Sequence, residues 1–138
     1  MHFTDPYEGT ILLDMDGVLA DWNAGVASLL GQPEANWENE NPPRSWNLPK
    51  HLGVSNNEMW RRINAYPHFW EGLPIMPWAK VLYRELKSAF SSVVVCTALP
   101  MDANAASGKV KWLQMYFGKT FSDYILVRHP LKELLSRP

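Results

Sequence analysis

Apolar runs and amphipathic segments alternate along this chain. Three short runs of aliphatic and β-branched residues, at positions 10–13, 93–97 and 124–127, have the length and composition of buried parallel strands. The periodicity of apolar positions predicts helices over residues 21–31, 55–66, 78–90 and 109–117. Because strands that alternate with helices form parallel sheets, the pattern predicts an α/β fold with a doubly wound parallel sheet.

Local capping signals mark the ends of these predicted helices. Asp21 can cap the first helix, and Gly31 can end it in the left-handed conformation. Ser55 and Glu58 form a capping box before the second helix, and Pro77 occupies the first position of the third. The apolar stripes expected to face the core are Val26, Leu29 and Leu30 in the first helix, Met59, Ile63 and Tyr66 in the second, and Val81, Leu82, Leu86 and Phe90 in the third.

The stretch after the first predicted helix breaks both patterns. Residues 32–49 contain four prolines among polar residues and are expected to be an irregular loop. Because the whole insertion is too long for an ordinary connection, residues 32–73 are predicted to form a small, mainly helical cap. Residues 1–31 and 74–138 would then form the α/β core. Parallel sheets bind ligands beyond the carboxyl ends of their strands, and the cap is expected to cover that edge.

The composition fits one domain with no surface for polyanions. The chain has 138 residues, of which 46% are hydrophobic, and a formal net charge of −1. This charge balance predicts no basic surface for binding duplex nucleic acid or an anionic membrane. No apolar stretch approaches the length of a membrane span, and the N-terminal residues lack the features of a signal peptide. The lone Cys96 lies within an apolar run, so a reducing, cytoplasmic location is expected.

Tryptophan is unusually frequent. Seven tryptophans occur, five of them between residues 37 and 78. Aromatic residues at this density form either a core or a stacking surface for a flat ligand. Trp22, directly behind an acidic stretch, and Trp46, within the proline-broken insertion, are candidates for stacking, with core packing left as the alternative. Core packing is the expected role of Trp37, Trp60, Trp70, Trp78 and Trp112.

Candidate chemistry lies where the first strand ends, in the stretch LLDMDGVLAD. Asp14 and Asp16 follow large aliphatic residues directly, and a carboxylate beside a dry core is unfavourable unless something pairs with it. Two carboxylates at a strand end suit a hard cation such as Mg²⁺, and Gly17 allows a turn that exposes backbone N–H groups to a phosphate. With the cation bound, one carboxylate can act as a nucleophile while the other exchanges protons with the leaving oxygen.

The second predicted strand supplies further hydrogen-bond donors. It ends in the hydroxyl of Thr97, and Lys109 follows at a predicted helix N-terminus, so both could contact phosphoryl oxygens. Other interpretations remain open for each candidate. Asp14 and Asp16 could be a turn signal after the strand, since Asp-Gly is a common turn dipeptide. Asp21 could be a helix cap, Thr97 a strand residue and Lys109 a solvated side chain.

These motifs resemble a known family. LLDMDGVLAD resembles the first motif of the haloacid dehalogenase superfamily, hhhDxDGxxxD with h for an apolar residue, and VVVCTA resembles its second motif, hhhhT. The segments DMDGVLAD, FWEGLPIMPWA and KVKWLQMYFG…F…YILVR are most similar to the 5′(3′)-deoxyribonucleotidases. Those enzymes are Mg²⁺-dependent phosphatases of nucleoside monophosphates with a small cap. The resemblance implies a 5′-nucleotidase-type hydrolase with an aspartyl-phosphate intermediate, Mg²⁺ as cofactor and a nucleotide as its small-molecule substrate.

The resemblance also implies a role for each matching residue. Asp14 would be the nucleophile, and Asp16 would be the general acid and base with its backbone carbonyl on Mg²⁺, so that both are metal ligands. Thr97 and the backbone N–H of Ala98 would hold the phosphate. Lys109 matches a phosphate-contacting lysine of the family, and whether Lys109 or Lys132 makes this contact stays open.

Two aromatic residues match the positions that face the nucleobase in these enzymes. Trp22 matches the aromatic residue just after the acidic motif, and Trp46 would face the other side of the base from the cap. Loop-borne aromatic residues stack on any flat base, so the preferred base and sugar stay open.

The chain departs from the family pattern after the third predicted strand. The family has a second lysine directly after this strand, and a fourth strand whose acid pair completes the Mg²⁺ site. Here Lys132 stands two residues late, behind Arg128, His129 and Pro130, and no acid pair follows. The expectation is either a fragment or an incomplete metal site. A domain that binds a nucleotide or protein partner without turnover is therefore the alternative function, and an unpaired edge on the first strand leaves a homodimer open.

Overall fold

The described part of the chain is an α/β unit built on three parallel strands. The computed structural model describes residues 7–31 and 48–128, together with Lys132 and Leu135. Its elements are β1 (Tyr7–Leu13), α1 (Trp22–Leu29), α2 (Leu48–His51), α3 (Asn56–Asn64), α4 (Ala79–Ala89), β2 (Phe90–Leu99), α5 (Ala105–Phe117) and β3 (Tyr124–Arg128). All three predicted strands are confirmed, with β2 extending beyond its predicted ends in both directions.

The register of the sheet shows that β2 continues past the carboxyl end of β1. The strand order is β1-β2-β3, and both pairs are parallel. Leu13, the last residue of β1, pairs with Val95, which on its other side pairs with Tyr124. β2 therefore continues to Leu99 beyond the end of β1. Within the described residues β1 is an edge strand, as predicted.

Local signals in the sequence determine the ends of two helices. The Asp21 carboxylate caps α1 by accepting a hydrogen bond from the Ala24 N–H at 3.0 Å, which confirms the helix-cap interpretation. Gly31 follows α1 with a positive φ of 72°, as predicted. Ser55 caps α3 by accepting a hydrogen bond from the Glu58 N–H at 3.0 Å. Each of these interactions spans a few residues, so sequence spacing alone can specify it.

Most of the apolar stripe predicted for helix α4 packs against the core, namely Leu82, Leu86 and Phe90, the last of which begins β2. The helix packs against β2, and its buried or partly buried side chains at helical spacing are Ala79, Leu82 and Leu86. Val81 lies off this face and is 50% exposed, so its predicted burial is wrong. The core assignment of Trp78 is also wrong, because this residue is the N-cap of α4 and is 51% exposed. Its indole N–H donates to the backbone carbonyl of Val18 at 2.9 Å.

Three further local predictions are wrong. Pro77 lies before the N-cap of α4, because the helix begins at Ala79. Residues 48–49, predicted as loop, belong to α2. Tyr66 follows the end of α3 and is 48% exposed, although its spacing predicted burial. The remainder of the predicted loop, residues 32–47 with Trp37 and Trp46, lies outside the described residues.

Helix α5 begins about one turn before its predicted start at residue 109. Glycine and serine in this stretch favour a loop, but Gly108 is buried within the helix. A Cβ atom built on Gly108 would lie 2.6 Å from the Cβ of Trp70 and 3.3 Å from the backbone nitrogen of Glu71. Trp70 therefore packs directly on the helix backbone, and the position requires a residue without a side chain.

We expect Gly108→Ala to destabilise the protein by about 1–3 kcal/mol, although alanine is the better helix former. The added methyl group must displace Trp70. Its Cβ and backbone atoms lie so close to the helix that this displacement requires a shift of the backbone. Thermal melting measures the effect. Ser107→Ala is the matched control, because Ser107 is exposed in the same helix turn and its replacement should leave the melting temperature unchanged or slightly raised. Equal melting temperatures for Gly108→Ala and the native protein would contradict the close packing.

One hydrophobic cluster joins the sheet to the insertion. It includes Val93 and Val95 of β2, Met59 and Ile63 of α3, and the fully buried Trp112 of α5. Buried Trp70 and Trp112 confirm two of the core assignments. The predicted boundary at residue 73 between core and cap stays a prediction. Among the described residues, no helix is long and apolar enough to cross a membrane.

Candidate functional site

A compact loop, residues 14–20, follows β1 and is called the acid loop here. The carbonyl of Met15 accepts hydrogen bonds from the N–H groups of Val18, Leu19 and Ala20. Gly17 has a φ of 80° and donates to the Ala20 carbonyl at 2.8 Å. Met15 is fully buried, whereas the Asp14 and Asp16 side chains are 47% and 32% exposed. Burial of the residue between them thus directs both carboxylates away from the core.

Asp14 forms an ion pair with a lysine from the far end of the chain. Its Oδ1 atom accepts hydrogen bonds from the Met15 N–H at 2.8 Å and from Lys132 Nζ at 2.6 Å. Among the described residues, Oδ2 of Asp14 accepts no hydrogen bond. Lys132 was the lysine that stood two residues late in the family pattern, and it nevertheless reaches the first acidic residue.

Asp16 is paired with a second lysine, which is fully buried. Lys109 Nζ donates to Oδ2 of Asp16 at 2.8 Å. It also donates to Oγ1 of Thr97 at 2.7 Å and to the carbonyl of Ala98 at 2.8 Å. The interpretation of Lys109 as a solvated side chain is wrong, because its exposure is 0%. The other Asp16 oxygen, Oδ1, is a buried atom with no hydrogen-bond partner in the described residues.

The end of β2 brings backbone donors to the acid loop. Val95 donates its N–H to Asp123, on the β3 side of the strand. Because successive N–H groups of a strand point to opposite neighbours, the Ala98 N–H points to the β1 side. β1 ends at the level of Val95, so this N–H faces the acid loop instead of a strand. Thr97, which is fully buried, lies beside it.

The charges of this group of side chains balance. Two carboxylates, Asp14 and Asp16, meet two ammonium groups, Lys109 and Lys132. A phosphate monoester dianion entering the site would meet no net positive charge, and a divalent cation would restore neutrality. Among the described residues, no three His, Cys, Asp or Glu side chains form a metal-ligating group. Mg²⁺ often binds proteins through one or two carboxylates plus substrate phosphate and water, so the two acids fit a site of that kind.

A pocket of about 260 Å³ opens beside Asp16 and has mostly apolar walls. Its lining residues are Asp16, Trp22, Trp60, Trp70, Ala98, Leu99 and Pro100. The Trp22 ring stacks on Trp70, with centroids 5.5 Å apart and an interplanar angle of 27°, and contacts the Trp60 ring at 5.7 Å. We call these three residues the tryptophan wall. A flat ring could lie against it with a phosphate directed toward the acid loop.

Hydrogen bonds tie the tryptophan wall to its surroundings. The Trp70 indole N–H donates to Oδ2 of Asp102 at 2.7 Å, which joins the insertion to the loop after β2. Lys109 Nζ lies 5.1 Å from the centroid of the Trp70 ring. Next to Trp70 in the sequence, Glu71 forms a hydrogen bond of 2.5 Å with His68. This hydrogen bond lowers the pKa of the Glu71 carboxyl group. The wall is thus attached both to the acid loop and to the entrance of α5.

A larger groove of about 550 Å³ lies elsewhere, between α1, the end of α3 and the loop that follows. The one charged residue of its lining is Arg62, which donates to the Leu29 carbonyl at 3.2 Å. Neither the two acids of the acid loop nor the two lysines that pair with them line this groove. We therefore place the candidate site at the smaller pocket, which is lined by Asp16 and Ala98.

The structure brings together most of the residues that the sequence singled out. Asp14, Asp16, Thr97, Ala98 and Lys109 meet at the carboxyl edge of the sheet, and Trp22 lies at the adjacent pocket; Trp46 lies outside the described residues. The partners that pair with the two carboxylates in the structure are lysines.

Trp60 and Trp70 are pocket residues that the sequence pattern did not predict. Both were assigned to the core, and Trp70 is indeed buried, yet both residues line the pocket. Sequence spacing offered no separate signal for Trp60, because it stands three residues before Ile63 and so lies at the edge of the same apolar stripe of α3.

Comparison with known proteins leaves the site to be interpreted from its own geometry. No protein-family model matches the chain, and no curated protein matches it either.

Proposed function

We propose that this protein is a Mg²⁺-dependent phosphatase that hydrolyses nucleoside monophosphates, in particular deoxyribonucleoside monophosphates, through an aspartyl phosphate on Asp14. Its three-stranded sheet would be part of a doubly wound core of the haloacid dehalogenase type. The observation that carries the proposal is the convergence of two lysine-paired carboxylates with Thr97 at the carboxyl edge of a parallel sheet, beside a pocket walled by tryptophans.

The carboxylate of Asp14 is suited to attack on phosphorus. Oδ1 is held by Lys132 and the Met15 N–H, which leaves Oδ2 as the nucleophilic atom. In the first step a bond forms between Oδ2 and phosphorus while the bond from phosphorus to the leaving oxygen breaks. For this step Asp16 carries a proton that it has taken up from solvent at its unpartnered Oδ1; it gives that proton to the leaving oxygen and becomes a carboxylate.

The second step releases the phosphate from the protein. Water attacks the phosphorus of the aspartyl phosphate, Asp16 takes a proton from that water, and the Asp14 carboxylate is regenerated together with inorganic phosphate. Asp14, through its carboxylate, and Asp16, through its backbone carbonyl, would hold Mg²⁺. The cation, when bound, offsets the negative charge of the phosphoryl oxygens. The Thr97 hydroxyl, the Ala98 N–H and Lys132 would hold those oxygens.

The base would lie against the tryptophan wall. Stacking on aromatic side chains is tolerant of base identity, and the pocket lining contains no charged side chain other than Asp16 to read a base edge. Affinity for a base of either size is therefore expected, within the limits of a cavity of about 260 Å³.

The alternative is a domain that binds a nucleotide without turnover. One observation favours it: each acid already has a lysine partner, and no third carboxylate stands beside them within the described residues. Two carboxylates alone would hold Mg²⁺ weakly, because the ion keeps most of its waters in such a site.

Release of inorganic phosphate from dUMP and dTMP by the native chain separates the two functions. We expect release in millimolar Mg²⁺, its loss after chelation with EDTA, and its recovery when Mg²⁺ is restored. Isothermal titration with the same nucleotides runs in parallel. Nucleotide binding without phosphate release would support the alternative, whereas neither binding nor release would exclude both functions.

A further inference from the structure

Lys109 occupies an unusual position for a residue expected to contact phosphate. It lies in the second turn of α5 with an exposure of 0%. An ammonium group has three N–H donors, and three acceptors surround this one at 2.7–2.8 Å: Asp16 Oδ2, Thr97 Oγ1 and the Ala98 carbonyl. Every donor of Lys109 is therefore engaged by the protein, and none is left for a phosphoryl oxygen.

Packing holds the ammonium group in this place. The Trp70 ring lies 5.1 Å from Nζ, and Trp70 is itself fixed by its hydrogen bond to Asp102 and by direct contact with the helix at Gly108. Moving Nζ toward a ligand would break hydrogen bonds of a buried charge, which is unfavourable unless every bond is replaced.

The three hydrogen bonds determine what their acceptors can do. Because Lys109 occupies Oδ2 of Asp16, Oδ1 is the oxygen that remains for proton exchange. Because an ammonium group can only donate, the Thr97 oxygen accepts, and the Thr97 hydroxyl proton must point to another acceptor. A phosphoryl oxygen beside the Ala98 N–H would be such an acceptor.

We propose that Lys109 is a positioning residue: it orients the proton-exchanging carboxylate of Asp16 and the hydroxyl of Thr97, and it does not bind the phosphate. This inference rests on the proposed phosphatase function and assigns the phosphate contact among lysines to Lys132. It departs from the role that the family resemblance implies for Lys109.

Leaving groups of different basicity test this role in the native fold. The Lys109→Met variant is compared on phenyl phosphate and para-nitrophenyl phosphate, which are similar in size while phenolate is the poorer leaving group. If Lys109 acts through Asp16, its loss should lower kcat/KM about tenfold more on phenyl phosphate, because the poorer leaving group depends more on the proton. The inhibition constant of inorganic phosphate should stay within about threefold of the native value.

Lys111→Met is the matched control, since Lys111 is exposed in the same helix and should leave both rates unchanged. Equal losses of Lys109→Met on the two substrates, with phosphate inhibition weakened about tenfold, would identify Lys109 as a phosphate ligand and overturn the proposal.

A double-mutant cycle with Asp16→Asn separates the two roles again. In the Asp16→Asn background, Lys109→Met should cause no further loss specific to phenyl phosphate, because the group that Lys109 positions can no longer deliver a proton. A further loss of the same size as in the native background would contradict the positioning role. The double variant also removes the carboxylate that Lys109→Met leaves without its partner, so it should fold if the single variant does not.

A spectroscopic measurement on the native chain needs neither variant folding nor turnover. In protein labelled with ¹⁵N-lysine, the Lys109 ammonium protons should exchange slowly with water, unlike those of exposed Lys111, whether or not the chain is a phosphatase. Inorganic phosphate added with Mg²⁺ should shift the Lys132 resonance and leave that of Lys109 in place. Rapid exchange at Lys109, or a phosphate-induced shift as large as that of Lys132, would overturn the proposal. Absence of turnover combined with slow exchange would refute the phosphatase function alone.

Discussion

Replacing Asp14 with Asn should stop phosphate release from dUMP and dTMP while leaving the fold intact. An amide oxygen is a poor nucleophile, so no aspartyl phosphate can form, and the loss in kcat should be roughly 10⁴- to 10⁶-fold. The side chain is half exposed and the amide oxygen can still accept from the Met15 N–H, so the acid loop should keep its shape. Phosphate release and thermal melting of the same preparation measure both effects.

The matched control for this variant is Asp21→Asn. Asp21 is the third acid of the same motif, and its carboxylate caps α1 by accepting from the Ala24 N–H. Asparagine is as good an N-cap as aspartate, so both activity and melting temperature should stay close to native. Native turnover by Asp14→Asn would refute the proposed mechanism. Comparable loss in both variants would indicate that the whole motif, and not Asp14 itself, is being disturbed.

Truncation of the tryptophan wall should discriminate between substrates with and without a base. Trp22→Ala or Trp60→Ala removes stacking of about 1–3 kcal/mol, so the KM for nucleoside monophosphates should rise roughly tenfold to a hundredfold. Turnover of para-nitrophenyl phosphate should change much less, because in the proposed mechanism Thr97, Ala98 and Lys132 hold the phosphate and need no stacked base. Kinetics on both substrates, with a melting curve for each variant, provide the measurement.

Trp60 is the more informative of the two positions. Trp22 contacts Phe69 as well as Trp60 and Trp70, so its loss also removes packing inside the aromatic cluster. A pure core role predicts a stability loss of about 3–5 kcal/mol with parallel loss on both substrates, and that pattern would exclude the stacking role. Tyr66→Ala is a suitable control, because Tyr66 is exposed in the same insertion and does not line the pocket.

Features that depend on neighbours in sequence were predictable. The order of strands and helices, the Asp21 and Ser55 caps and the left-handed Gly31 all depend on interactions within a few residues. The acidic motif was equally visible, because β1 ends at Leu13 and the next residues must leave the sheet. Predictions failed where packing against a distant element decided the outcome. Helix α5 starts earlier than predicted because Trp70 packs on Gly108. Val81 is exposed because the buried face of α4 follows Leu82 and Leu86.

The sequence by itself determined an α/β chain with two carboxylates at the end of its first strand. It did not determine which residues pair with these carboxylates. Only the tertiary structure identified the partners, since Lys109 is 93 positions from Asp16 and Lys132 is 118 positions from Asp14. No local pattern encodes contacts at such separations, because they arise when elements that form independently pack against one another. The same packing buried Lys109, exposed Trp78 and assembled the tryptophan wall from α1 and the insertion that follows it.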